Sequence, residues 1–95
     1  INNNQPLRYA AMNGYLKIVK YLLEHGASID NRSLIWASEG GDLEMVKYLV
    51  EHGANVSVKN NAPLRGASKN GHLEVVKYLV EHGADISEED KSAFI

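Results

Sequence analysis

One phrase of nine residues occurs three times in this 95-residue chain, and this repetition constrains the fold more than any other feature. The sequence VKYLVEHGA stands at 46–54 and again, unchanged, at 76–84, and VKYLLEHGA stands at 19–27. An active site needs a few unlike groups that converge on one point, whereas a repeated phrase places like groups at regularly spaced points. The repetition therefore predicts a modular architecture before it predicts any chemistry.

Two columns of glycines set the register of the repeated unit: Gly14, Gly41 and Gly71 form one, and Gly26, Gly53 and Gly83 form the other. Successive glycines are 27 residues apart between the first two units and 30 residues apart between the last two. The three missing residues fall in the loop between the first two units, after the apolar position held by Ile29 or Val56. We expect three repeats with partial repeats at both ends, at about 5–31, 32–61 and 62–91, with the partial repeats at 1–4 and 92–95.

The first segment of each unit is predicted to be a helix and reads PLRYAAMNG at 6–14, SLIWASEGG at 33–41 and PLRGASKNG at 63–71. Pro6 and Pro63 stand in the first turn, where the missing N–H would have no helical partner. Asn4, Asn31 and Asn61 lie two residues before these starts and are candidate N-caps, because an asparagine side chain accepts a hydrogen bond from an exposed backbone N–H.

The second segment of each unit is also predicted to be a helix and reads YLKIVKYLLEHG, DLEMVKYLVEHG and HLEVVKYLVEHG. Its apolar residues follow the spacing of one buried stripe. The Gly26 column follows the last of them, where a left-handed C-cap is expected. Helices this short are marginal alone, so we predict an all-α fold in which the helix pairs stack and bury one another.

The motifs PLRxA at 6–10 and 63–67, then NG, LxxVKYL and GAx[IV], resemble the ankyrin repeat, whose pattern contains TPLHxA and whose period is about 33 residues. The resemblance covers nearly the whole chain. It implies an ankyrin-type helix-pair repeat solenoid with short connecting loops. The chain departs from the family pattern at the Thr position, which is Gln5, Arg32 or Ala62, and at the His position, which is Arg8, Ile35 or Arg65.

The short, Asn-rich units are most similar to the ankyrin arrays of giant viruses that infect amoebae. That resemblance implies a cytoplasmic protein, in the host cytoplasm if viral. Because the chain begins with Ile1 and both ends align with parts of the repeat unit, we expect it to be a segment of a longer array.

Composition excludes several kinds of partner. The formal net charge of −2 argues against nucleic acid, since phosphate contacts need clustered lysine and arginine. No apolar run approaches the roughly 18 to 20 residues of a membrane helix. The chain has no cysteine and no phosphate-binding loop or metal motif, so we expect no cofactor, no metal and no small-molecule substrate.

Three columns on the second helix have both a structural and a functional interpretation. His25, His52 and His82 precede the capping glycines and are expected to bind C-terminal carbonyls, the alternative being a metal ladder. Lys20, Lys47 and Lys77 each have a glutamate at i+4 and are expected to form a solvated face, the alternative being a nucleic-acid stripe. Tyr21, Tyr48 and Tyr78 are expected at the edge of the core, the alternative being a recognition platform.

Trp36 occupies a position that is Tyr9 in the first unit and Gly66 in the third. A glycine inside a helix costs about 1 kcal/mol relative to alanine, so a compensating role is expected for Gly66. The simplest compensation is steric, and the sequence predicts that Gly66 makes room for the indole of Trp36.

The sequence favours a protein-binding module that is not an enzyme, since no triad or dyad stands out from the repeat register. The alternative is a structural spacer within a longer array. The candidate partner-binding residues are positions that vary at one register, together with loop residues, and the resemblance places them on the concave side. They are Asn4, Arg8, Met12, Asn13, Asn31, Ile35, Glu39, Lys59, Asn61, Arg65, Lys69 and Asn70, and Gly40 shares the register of Asn13 and Asn70.

Overall fold

A computed structural model describes residues 5–86, which form six helices and no strand. The helices come in three consecutive pairs: α1 (Gln5–Met12) with α2 (Leu16–Glu24), α3 (Asn31–Gly40) with α4 (Leu43–Glu51), and α5 (Val58–Lys69) with α6 (Leu73–Glu81). The predicted all-α helix-pair solenoid is confirmed. The predicted partial repeats and Asn4 lie outside the described residues.

The core runs along the stack of pairs. Each first helix packs on the second helix of its own pair, α3 also contacts both α1 and α5, and α4 contacts α6. Leu7, Leu34 and Leu64 occupy one register on the three first helices, and all three are buried. Leu49 and Leu79 contribute the same buried position from α4 and α6. A pair therefore buries its apolar stripe mainly against its neighbours, as expected for short helices that cannot stand alone.

The second helices end as the sequence predicts. Gly26, Gly53 and Gly83 have φ values of 104°, 104° and 111°, a region that other residues rarely adopt. In the first copy, the N–H of Ala27 then donates to the carbonyl of Leu22 at 3.0 Å, which satisfies a carbonyl in the last helical turn. The predicted left-handed caps are confirmed.

The predicted asparagine N-caps are wrong at both described positions. Asp30 caps α3 instead, because its side chain accepts a hydrogen bond from the N–H of Arg32 at 2.9 Å. The Asn31 side chain accepts from the N–H of Asn55 at 2.8 Å. The buried Asn61 side chain both donates to and accepts from the backbone of Asp85, at 3.3 and 3.2 Å. These asparagines tie the start of a helix pair to the segment that follows it.

The longer connection between the second and third pairs contains a left-handed turn. Lys59, Asn60 and Asn61 have φ values of 49°, 60° and 60° and interrupt the start of α5. Arg65 donates from Nε to the Asn60 carbonyl at 3.0 Å and from Nη2 to the Lys59 carbonyl at 2.9 Å. The segment that is three residues longer in sequence therefore folds into a compact turn against its own helix.

The predicted contact between Gly66 and Trp36 is wrong. A Cβ atom on Gly66 would overlap the Cγ of Glu39, and the nearest atoms to it all belong to that glutamate. Trp36 is half-buried and lines a groove with Ala11 and Met12 of α1, on the side of α3 that faces the first pair. Gly66 does make room for a side chain of α3, but that side chain is Glu39, which faces α5, and not Trp36.

Candidate functional site

The register of Arg8, Ile35 and Arg65 is largely committed to the fold. Arg8 forms an ion pair with Asp30, with 2.5 Å between Nε and Oδ2, so it joins α1 to the residue that caps α3. Ile35 is half-buried, and Arg65 holds the left-handed turn described above. These side chains are therefore less available to a partner than the variation at this register indicates.

The register of Asn13, Gly40 and Asn70 lies where each first helix ends: Gly40 is the last residue of α3, and Asn13 and Asn70 directly follow α1 and α5. Asn13 donates from Nδ2 to the Tyr9 carbonyl at 2.9 Å, within its own helix pair. Asn70 donates from Nδ2 to the Glu39 carbonyl at 3.0 Å, and Nε2 of His72 donates to the same oxygen at 2.9 Å. These two side chains close the end of α3 and connect the second pair to the third.

The register of Met12, Glu39 and Lys69 is the most available of the predicted surface. All three side chains are exposed near the ends of successive first helices. Within residues 5–86 their side chains make no hydrogen bond or ion pair, although Glu39 lies against the bare backbone of Gly66. We call these three residues the first-helix ridge.

The predicted loop residues differ in accessibility. Lys59 is exposed at the left-handed turn, and Asn31 is half-buried with its side-chain oxygen already bonded. Asn61 is buried, and both polar atoms of its amide bind the backbone of Asp85. The Asn61 amide is therefore used within the fold and does not face a partner.

The histidine column binds helix carbonyls, as predicted. The Nδ1 atoms of His25, His52 and His82 each lie 2.8 Å from the carbonyl oxygen four residues earlier, and each donates a proton to it. That oxygen belongs to the tyrosine of the same helix, whose ring lies 3.8 to 4.0 Å from the imidazole centroid. The described residues contain no cluster of three or more histidines and carboxylates placed to hold a metal ion.

The first member of the lysine column contacts an aromatic ring rather than a glutamate. Lys20 lies with Nζ 5.5 Å from the ring centroid of Tyr48 on the next pair, and in the described part of the chain it forms no ion pair with Glu24. The expected i+4 pairing is therefore replaced, at this position, by a cation–π contact between pairs.

Burial raises the pKa of the Tyr78 hydroxyl above its usual value of 10.0, and the carboxylate of Glu51 raises it further.

Sequence reasoning missed an exposed apolar surface on the first helix pair. Tyr9, Tyr15, Ile18 and Tyr21 are all largely exposed. Tyr48 and Tyr78 are half-buried at the edge of the core, as predicted for the tyrosine column. Its first member, Tyr21, is exposed instead. The register of the repeats could have indicated this exposure, because the first pair has no earlier pair within residues 5–86 to cover these positions.

Within the described residues, no helix is both long and apolar enough to span a bilayer. A family profile described as ankyrin repeats, in three copies, matches residues 31–90, and a second profile, for a single ankyrin repeat, matches residues 2–34. A search of curated proteins found no match.

Proposed function

Since this chain belongs to the ankyrin repeat family, we propose that it is a protein–protein interaction module that binds its partner through the concave face of its first helices and loops. Ankyrin repeats generally mediate binding between proteins. The observation that carries the proposal is the first-helix ridge. Neighbouring registers are bonded within the fold, whereas Met12, Glu39 and Lys69 remain exposed with unused side chains.

The ridge has a definite chemical order. It presents an apolar side chain on the first pair, a carboxylate on the second and an ammonium group on the third. A matching partner presents an apolar, a basic and an acidic group in the same order, since complementary charges set orientation and suppress wrong partners. Lys59 is exposed at the opposite end of α5 from Lys69, in the left-handed turn that begins the helix, and adds a second positive charge to the third pair.

The test compares proteins captured from a lysate by the wild-type chain and by two triple variants. Met12→Glu, Glu39→Lys and Lys69→Glu together invert the ridge. Glu24→Gln, Glu51→Gln and Glu81→Gln together change three exposed residues of the second helices and serve as the control. We expect the ridge variant to lose partners that the control retains, with circular dichroism showing that both variants are folded.

The alternative function is a structural spacer within a longer ankyrin array, with the partner bound elsewhere. Equal capture by the wild-type chain and the ridge variant would contradict the module and favour the spacer. The exposed apolar surface of the first pair supports the spacer, because a pair inside an array would have that surface covered.

The proposal includes no catalysis and no nucleic-acid, membrane or small-molecule partner, in keeping with the net charge of −2 and the absence of cysteine. The resemblance of the short, Asn-rich units to giant-virus arrays supports an origin in such a virus and a place in the host cytoplasm. The genomic sequence on either side of the coding region tests that origin directly.

A further inference from the structure

The two junctions between helix pairs differ in what occupies the space where their first helices end. At the junction of the second and third pairs, the imidazole of His72 lies over Gly41, with Nδ1 only 2.6 Å from where a Cβ would be, and the side chain of Glu39 lies over Gly66. The carbonyl of Glu39 accepts hydrogen bonds from Asn70 and His72, at 3.0 and 2.9 Å. The chain's own side chains therefore fill this space and satisfy the carbonyl that faces it.

The corresponding space at the junction of the first and second pairs is an open groove. The second pair contributes Trp36, Gly40 and Asp42 to it, at the registers of Gly66, Asn70 and His72. Gly40 has no side chain and an ionised Asp42 has no proton to donate, so neither replaces the donors of the other junction. Within residues 5–86, the carbonyl of Met12, which corresponds to that of Glu39, accepts no hydrogen bond from the second pair.

The groove presents hydrogen-bond acceptors and an aromatic ring. Among the described residues that line it, Asp42 is the only charged one. Its Oδ1 accepts from the N–H of Met45 at 3.2 Å, whereas its Oδ2 lies over Gly14 and forms no hydrogen bond or ion pair in the described part of the chain. The half-buried Trp36 and the exposed Met12 line the same groove. A ligand that suits these groups carries a positive charge, several N–H donors and a surface that stacks on an indole.

The size of the groove suits a single side chain. Its volume is about 220 Å³, which is below the roughly 300–1,000 Å³ of pockets that hold whole small molecules. Arginine meets the chemical requirement better than lysine, because its planar guanidinium stacks on an aromatic face and presents its N–H donors in a fixed arrangement. The methylene groups of an arginine also pack on apolar surface such as the Met12 side chain.

We propose that the groove between the first and second helix pairs binds an arginine side chain of the partner protein. The guanidinium stacks on the indole of Trp36, pairs with Oδ2 of Asp42 and donates to the carbonyl of Met12. It thus takes the place that Asn70 and His72 fill at the next junction. This site rests on the proposed function, to which it adds an arginine beside the partner's apolar group.

The test uses the single tryptophan of the chain, whose indole N–H signal in heteronuclear NMR reports on this groove. The probe is a tripeptide with arginine between two glycines, acetylated and amidated at its ends. We expect a saturable shift of the indole signal with a Kd of about 1–10 mM, because one side chain supplies few contacts. The matching lysine peptide is expected to bind at least about threefold more weakly, since an ammonium group does not stack flat on the ring. Peptides with citrulline, which has the shape of arginine without its charge, or with leucine are expected not to saturate the site.

Asp42→Asn separates the ion pair from the fold. Asparagine caps a helix as well as aspartate does, so α4 keeps its N-cap while the groove loses its charge. We expect arginine binding to weaken by at least about tenfold. Glu44→Gln is the matched control, because it removes the same charge from an exposed position of the same helix outside the groove, and it is expected to bind the arginine peptide like the wild type.

A double variant gives the first junction the donors of the second. Gly40→Asn together with Asp42→His reproduces the residues of the third pair, and a Cβ on Gly40 would meet no atom within 4 Å. Its own side chains are expected to fill the groove, so the arginine peptide should no longer shift the indole signal.

Three results would overturn the arginine site. The absence of a saturable indole shift at about 50 mM arginine peptide would show that the groove does not bind this side chain. Equal affinity for the citrulline or leucine peptide would show that the groove selects shape or apolar surface rather than charge. Undiminished binding by Asp42→Asn would place the arginine elsewhere. Capture from a lysate by the first-helix ridge is measured separately, so partners that the ridge variant loses and Asp42→Asn retains would leave the interaction module standing without its arginine site.

Discussion

Single polar side chains connect neighbouring helix pairs by binding backbone carbonyls. Asn70 and His72 share the carbonyl of Glu39, each with a hydrogen bond of about 3 Å. A bond of this kind contributes about 1 kcal/mol net, and because both bonds lie at an exposed position, water can replace a lost partner there. The side chain of Glu39 remains outside this network, although its backbone lies at the centre of it.

Gly66 allows a prediction about the packing of α3 against α5. Gly66→Ala gains up to about 1 kcal/mol of helix propensity, but its methyl group would force Glu39 out of its present rotamer, at a cost of about 0.5–1.5 kcal/mol. We therefore expect little or no gain in the wild-type background and a gain of up to about 1 kcal/mol when Glu39→Ala is also present. Chemical denaturation of the single and double variants measures this coupling.

Trp36→Ala provides the control for this cycle, since the indole faces α1 rather than Gly66. It is expected to destabilise the chain by the same amount whether residue 66 is glycine or alanine. Coupling of Gly66 to Trp36, with none to Glu39, would contradict the contacts between these helices.

The histidine column leads to a prediction about metals. Each Nδ1 proton is already donated to a carbonyl, and the three rings lie on different helix pairs. Zinc must lie within about 2.1 Å of each ligand nitrogen, which histidines on separate stacked helices do not meet. Stoichiometric zinc is expected to leave the melting temperature unchanged. A rise that His52→Ala abolishes would show that the column binds metal.

At the level of the element, the left-handed turn at the start of α5 is strained. A non-glycine residue in this conformation costs about 1–2 kcal/mol, and asparagine tolerates it better than lysine does. Lys59→Gly is therefore expected to stabilise the chain by about 0.5–1 kcal/mol, after allowing for the greater freedom of glycine in the unfolded state. Thermal and urea unfolding measure the change.

Lys47→Gly is the matched control for the turn. Lys47 lies within α4, where glycine costs about 1 kcal/mol, so the same substitution is expected to destabilise there. If Lys59→Gly were as destabilising as Lys47→Gly, residue 59 would have an ordinary helical conformation in solution.

The ends of the helices were predictable from sequence because glycine has a specific role there. Gly26, Gly53 and Gly83 are needed at positive φ, and their spacing fixes where each second helix stops. The start of α3 was not predictable in the same way. Asp30 and Asn31 are both good capping residues, and only the path of the shortened loop decides that Asp30 caps while Asn31 bonds to Asn55.

The candidate site was predictable as a set of registers but not as individual residues. Variation at a register shows that the core does not need one residue there, and it says nothing about hydrogen bonds. Arg8, Asn13 and Asn70 vary and yet bind within the fold, whereas Met12 and Lys69 do not. The direction of Trp36 was also hidden, because Tyr9 and Gly66 at its register do not indicate which neighbour a side chain faces.

For the whole molecule, a stack of pairs makes stability depend on position along the array. The stability of a solenoid is approximately the sum of the intrinsic stabilities of its units and of the interfaces between neighbours. The middle pair has described neighbours on both sides, since α3 contacts α1 and α5, while the first pair has one. Equivalent substitutions are therefore expected to have unequal effects.

Ile18 and Met45 test this dependence, since they share one register on the first and second pairs. Met45 is fully buried, so Met45→Ala is expected to cost about 2–5 kcal/mol through lost burial and a residual cavity. Ile18 is half exposed, and alanine is the better helix former, so Ile18→Ala is expected to cost less than about 1 kcal/mol. Urea denaturation measures both values. Similar losses at the two positions would mean that Ile18 is covered in solution as Met45 is.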